Sequence, residues 1–170
     1  MDPFATLGIA RRFEVDLSVV EKVHRELSRA LHPDRYVGAS ASERRAALEK
    51  AVEVNEAWRT VRDPLRRAEA LLELSGAKVE EGREPRPEPE FLLEMLERRE
   101  ELADARQARD LAAVRRLATS VASRGQEVVR SLGAGFTAGE TRTLVPLLGQ
   151  LRFFRRFLDE VSAIEDELAI

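Results

Sequence analysis

The chain is 170 residues long, 44% hydrophobic and 35% charged, with a formal net charge of -3. That is enough apolar material to bury a core in one domain or two small ones, and the composition is not that of a disordered chain. A net negative charge argues against a general nucleic-acid binder, and the absence of cysteine removes disulfides, thiol catalysis and thiolate or iron–sulfur ligation.

The opening MDPFATLGIARRFEVD has no basic leader before an apolar run, and no stretch approaches the roughly 20 apolar residues of a membrane span, so the expected location is the cytoplasm. Residues 17–31 place Leu17, Val20, His24, Leu27 and Leu31 on one helical stripe. Asp16 or Ser18 can cap its start, and Ser18 with Glu21 has capping-box spacing. On another face Lys22, Arg25 and Arg29 line up at i, i+3 and i+7, and Pro33 stops the helix. On this stripe His24 reads as a packed, hydrogen-bonded core histidine rather than a ligand.

A second helix is predicted after Ser40, which has capping-box spacing with Glu43. It carries Leu48, Ala51, Asn55, Trp58 and Val61 or Arg62 along one side, with Asn55 either a buried polar group that fixes the local packing, the favoured reading, or a slightly exposed edge residue. Asp63-Pro64 closes it and opens a short helix that ends at Gly76. The two longer helices form an antiparallel pair with His32, Pro33 and Asp34 in the exposed loop at its tip. AKVEEGREPRPEPE, with three prolines and many charges, reads as a linker. Three further helices are predicted, at about 90–104, 109–132 and 140–168, with LGAGFTAGE as the loop between the last two. Pro146 either lies near the start of the last helix or kinks it. The expected fold class is all-α: an N-terminal helical hairpin over 1–76, a linker over 77–89 and a three-helix bundle over 90–170.

Enzymatic readings find no support. No nucleophile elbow, triad order or phosphate-binding glycine loop is present, and two histidines are too few for a histidine-rich zinc site. His32 and Asp34 alone bring no pocket or oxyanion donor to make an acid–base pair useful. No catalytic residue, metal or other cofactor is expected.

The cationic face Lys22, Arg25, Arg29, followed by His32-Pro33-Asp34 and Arg35, with N-E-A-W about twenty residues on, resembles the J-domain, the module that activates DnaK-type chaperone ATPases. With FATLGIARRFEVD, DPLRRAEALLELSG, FLLEMLERREELADA and QLRFFRRFLDE, the chain resembles over nearly its full length the HscB family, J-type co-chaperones of bacterial iron–sulfur cluster assembly. The resemblance implies two partners. His32, Pro33, Asp34 and the four cations would contact an HscA-type chaperone ATPase. Leu92, Leu93, Leu96, Glu97, Glu100 and Phe153 would bind an IscU-type cluster scaffold. The residues themselves leave the leucines open to either an exposed patch or bundle core. His24 and Leu31 stand where aromatics are common in the family, Ala70 where a bulky aromatic is expected, and Leu93 where methionine is common. A monomer is expected. Another client for the same J-domain, or a helical adaptor without chaperone work, are the alternative readings.

Overall fold

The computed structural model describes residues 1–76 and 87–169, and the predicted linker lies largely outside them. Among the described residues there are seven α-helices, one 3-10 turn and no strand. They fall in two compact units, Met1–Lys78 and Val79–Ile170.

In the first unit, helix α1 (Pro3–Leu7) is framed by an Asp2 cap, which accepts the Phe4 and Ala5 N–H groups, and by Gly8 in a left-handed conformation at φ 67°. The sequence reading missed this helix. Helix α2 (Leu17–Ala30) starts at Asp16, whose carboxylate accepts from the N–H groups of Ser18 and Val19, so of the two candidate caps it is Asp16 that acts. Helix α3 (Ala41–Arg62) opens with the Ser40–Glu43 capping box in both directions. Helix α4 (Pro64–Leu74) follows directly, capped by Asp63.

The core of this unit gathers Phe4 and Leu7 of α1, Val20 of α2 and Val54, Ala57 and Val61 of α3. Ala70 packs against it, where a larger side chain would add burial. The stripe expected on α3 is rotated. Its buried line runs through Ala47, Val54, Ala57 and Val61, while Leu48 and Asn55 are exposed. The alanines let α1 and α2 approach closely, and the two bulkier neighbours are turned to solvent. On α2, Leu17 is likewise exposed.

Arg67 of α4 is the only charged residue among the buried described positions, 6% exposed. It donates from Nη1 to the Val61 carbonyl at 2.6 Å, and its guanidinium lies 4.7 Å from the centroid of the Phe13 ring. Burial lowers its pKa, while the nearby Glu14 and Asp63 charges act in the opposite direction. It thereby ties the 8–16 connection and the end of α3 to α4.

The second unit is helices α5 (Pro89–Gln107), α6 (Leu111–Ala138) and α7 (Thr141–Leu168), with α6 and α7 packed on one another and α5 on both. Phe91, Met95 and Leu102 of α5, Val114, Val121, Val128 and Leu132 of α6, and Leu144, Leu148, Phe154, Phe157 and Ile164 of α7 form the core. LGAGFTAGE is not a loop. Helix α6 runs through it to Ala138, and the turn is confined to Gly139, at φ 72°, and Glu140. Gly133 and Gly135 are buried in α6, so tertiary packing overrides a helix propensity that is about 1 kcal/mol poorer than alanine at each. Pro146 lies inside α7, one turn and a half from its start, where only one ladder hydrogen bond is lost.

Candidate protein-docking sites

In the first unit the stopping of α2 positions the tripeptide. Leu31 closes the helix with its N–H on the Leu27 carbonyl, and Pro33 enters a short 3-10 turn, Pro33–Tyr36, for which His32 is the cap. The Asp34 N–H donates to His32 Nδ1 at 3.3 Å, which fixes the ring and leaves the proton on Nε2. The Asp34 carboxylate lies 3.4 Å from the same Nδ1, and the side chains are 59% and 85% exposed. Water is not excluded from a pair so open, and its groups stand exposed at the end of α2. Pro33 and Arg35 are exposed beside them.

Lys22, Arg25 and Arg29 are all exposed on α2, and Val20 turns to the core. Arg25 makes a 3.7 Å contact with Glu21, an exposed i, i+4 pair that neutralises little of the line. The hairpin is held behind this face by a polar seam. His24 Nε2 donates to Asn55 Oδ1 at 2.9 Å, and its ring stacks on Trp58 at 5.3 Å between centroids. His24 is therefore hydrogen-bonded and packed as expected but half-buried, and its exposed partner Asn55 holds α3 to α2 from the rim rather than from the interior.

In the second unit α5 shows two distinct faces. Phe91, Met95 and Leu102 are buried, while Leu92, Leu93 and Leu96 are 41%, 58% and 55% exposed. Glu97 and Glu100 are exposed too, and with Leu93 they form the row at steps of four and three on the flank away from Met95. Phe153 of α7 is half-buried and meets Phe91 edge-on at 5.7 Å, which brings it to the margin of the leucines. Of the two readings open for the leucines, the exposed patch is the one observed. Three large apolar side chains are thus left in water on consecutive turns of one helix, which makes this face a candidate docking surface.

The sequence reading missed the cations at this patch. Arg99 of α5 and Arg156 of α7 place their guanidinium carbons 5.8 and 5.1 Å from the Phe153 ring centroid. The signal for Arg99 was its helical step of three from Leu96. For Arg156 the sequence carries none, because its place depends on how α7 packs.

Among the described residues no group of three or more His, Cys, Asp or Glu is placed to hold a metal ion, and no helix is long and apolar enough to cross a membrane. Residues 87–162 match the family domain described as the HSCB C-terminal oligomerisation domain. A curated relative from Vibrio cholerae, a co-chaperone protein HscB homolog, is 32% identical over 169 residues, covering 99% of both chains. One from Ralstonia nicotianae is 43% identical over 111 residues, 65% of this chain and 63% of its own. Among solved structures the chain is similar to the chaperone HscB from Vibrio cholerae, with a TM-score of 0.86 and 99% of each chain covered. It is also similar to the human co-chaperone HscB, 25% identical with a TM-score of 0.88, covering 97% of this chain and 82% of that one.

Proposed function

The chain belongs to the HscB co-chaperone family, and on that premise we propose that it stimulates the ATPase of a dedicated DnaK-like chaperone of the HscA type and delivers to it an IscU-type iron–sulfur cluster scaffold. In this reading residues 1–76 are the J-domain, 77–89 the linker and 90–170 the scaffold-binding bundle. The protein performs no catalysis of its own, and the work is done in the cytoplasm.

The observation that carries the reading is the exposed His32-Pro33-Asp34 turn at the end of a cationic helix face. Lys22, Arg25, Arg29 and Arg35 meet an acidic surface on the chaperone and set encounter rate and salt dependence. The tripeptide then delivers the activating contact. His32 offers its Nε2–H outward because Nδ1 is engaged by the Asp34 N–H. Pro33 stops α2 so that the ring stands clear of it. The contact biases a two-state element of the chaperone and so couples docking to hydrolysis at a distance.

Leu92, Leu93, Leu96 and Phe153, with Glu97 and Glu100 alongside, take up the scaffold. We take the working unit as a monomer, although the matched family domain is described as an oligomerisation domain, because self-association through α5 would cover the leucines the scaffold needs.

The test is single-turnover ATP hydrolysis by the HscA-type chaperone with the parent protein and with His32→Gln. The variant is expected to lose stimulation while keeping its helical content and scaffold affinity. Stimulation equal to the parent refutes the reading.

A further inference from the structure

Two arginines at the leucine patch stand without a carboxylate among the described residues. Leu92, Leu96, Arg99 and Ala103 follow one another at steps of four, three and four, so Arg99 continues the leucine stripe. Its guanidinium and that of Arg156 both rest near the Phe153 ring, at 5.8 and 5.1 Å from its centroid. Both side chains are exposed, and neither forms an ion pair among the described residues. Arg99 has no acid within reach on its own helix, since the positions three and four away are Met95, Leu96, Leu102 and Ala103. Asp159 and Glu160 lie one turn beyond Arg156, yet the guanidinium is found on the aromatic ring instead. A guanidinium over a ring keeps its N–H edge free, and that edge is the donor fork that matches a carboxylate.

We propose that the segment of the scaffold seated on Leu92 and Leu96 carries a carboxylate beside its apolar anchor, and that Arg99 and Arg156 bind that carboxylate together at the edge of Phe153. The inference rests on the scaffold-docking reading and specifies the chemistry of what docks. Glu97 and Glu100 occupy the opposite flank of the leucine stripe and repel the same carboxylate. The two flanks therefore fix which way round the segment lies, with attraction on one side and repulsion on the other.

Calorimetric titration of the full-length chain with the scaffold protein of the same organism, at low and high salt, tests this. Arg99→Gln/Arg156→Gln is expected to weaken binding roughly tenfold at low salt and to flatten its salt dependence, with unchanged thermal unfolding. Arg99→Lys/Arg156→Lys, which keeps the charge, retains the salt dependence. Leu92→Ala/Leu96→Ala weakens binding while leaving the salt dependence of the parent. Parental affinity and salt dependence in the glutamine variant, beside a weakened leucine variant, overturns the carboxylate and leaves the scaffold reading standing. No binding by the parent overturns both. A self-associated parent in sedimentation that the glutamine variant dissociates overturns the proposal by giving the surface to a second copy.

Discussion

Met95 and Leu96 are neighbours in sequence with opposite surroundings, 2% and 55% exposed, and substituting each by alanine separates folding from docking. Met95→Ala empties a core site and costs roughly 2–5 kcal/mol of stability. Leu92→Ala/Leu96→Ala removes side chains that are 41% and 55% exposed, so between them about one leucine's worth of surface remains for a partner to cover. At about 2 kcal/mol for a fully buried leucine, docking gains about that much from the pair, and the double variant loses about 30-fold in scaffold affinity. Its folding stability changes little, since alanine is the best helix former and exposed substitutions shift stability by within about 0.5 kcal/mol each. Circular-dichroism melting and calorimetric titration of both variants provide the assay. Met95→Ala is expected to melt early, and any scaffold affinity it retains below its melting point is close to parental. A leucine double variant that melts early and binds as the parent does refutes the reasoning, because the leucines would then be core.

Arg67→Met keeps the volume at the buried arginine but leaves the Val61 carbonyl without its donor, so chemical denaturation is expected to show a loss of about 1–3 kcal/mol. A more stable variant would mean that removing the buried charge outweighs that lost hydrogen bond. Acid titration of stability probes the helix caps. The Ser18 hydroxyl, with the N–H groups of Val19 and Ser18, lowers the pKa of Asp16, and the Ser40 hydroxyl and N–H lower that of Glu43. A carboxylate held low in the folded state contributes stability that is present above its unfolded pKa, about 4, and lost as pH falls through the folded value. Asp16→Asn keeps a capping oxygen without the charge, so the expected result is a shallower decline of stability below about pH 4 than in the parent, and an unchanged decline refutes the assignment.

How much the sequence disclosed depended on whether the deciding interaction was local. Caps were legible because the groups that satisfy a helix end lie within four residues of it, as with Asp16 and the Ser40–Glu43 box. Helix α1 carried equally local signals, Asp2-Pro3 at one end and Gly8 at the other, but five residues are too few to show a stripe. The α3 stripe was misplaced by one position at Leu48 and Asn55 because large side chains were weighted over alanines, and close helix approach favours the alanines. LGAGFTAGE read as a loop because glycine is a poor helix former in isolation. The burial of Gly133 and Gly135 in the bundle is non-local information. The leucine patch was legible only as a choice between core and surface, since both satisfy the same periodicity, and the packing of α5 decided it.

The solvent exposure of the tripeptide bears on what it can do. Charges about 4 Å apart in water interact by about 1 kcal/mol, and the same separation is worth several times more where a partner excludes water. His32 and Asp34 are largely exposed, and their 3.4 Å contact, made at the ring nitrogen that accepts the Asp34 N–H, contributes little to the stability of this chain. The polar groups of the turn gain strength only when another surface covers them. Arg99 and Arg156 are likewise exposed and form no ion pair among the described residues, with a donor fork that gains strength once a carboxylate is desolvated against it. A helical scaffold that satisfies its own caps and core locally can hold such groups in reserve at small cost. The same economy explains why the candidate docking residues stand on helix faces the cores do not use. The faces of α2 and α5 turned away from Val20 and from Met95 are the places where a charge or a leucine can be varied without unfolding the unit that presents it.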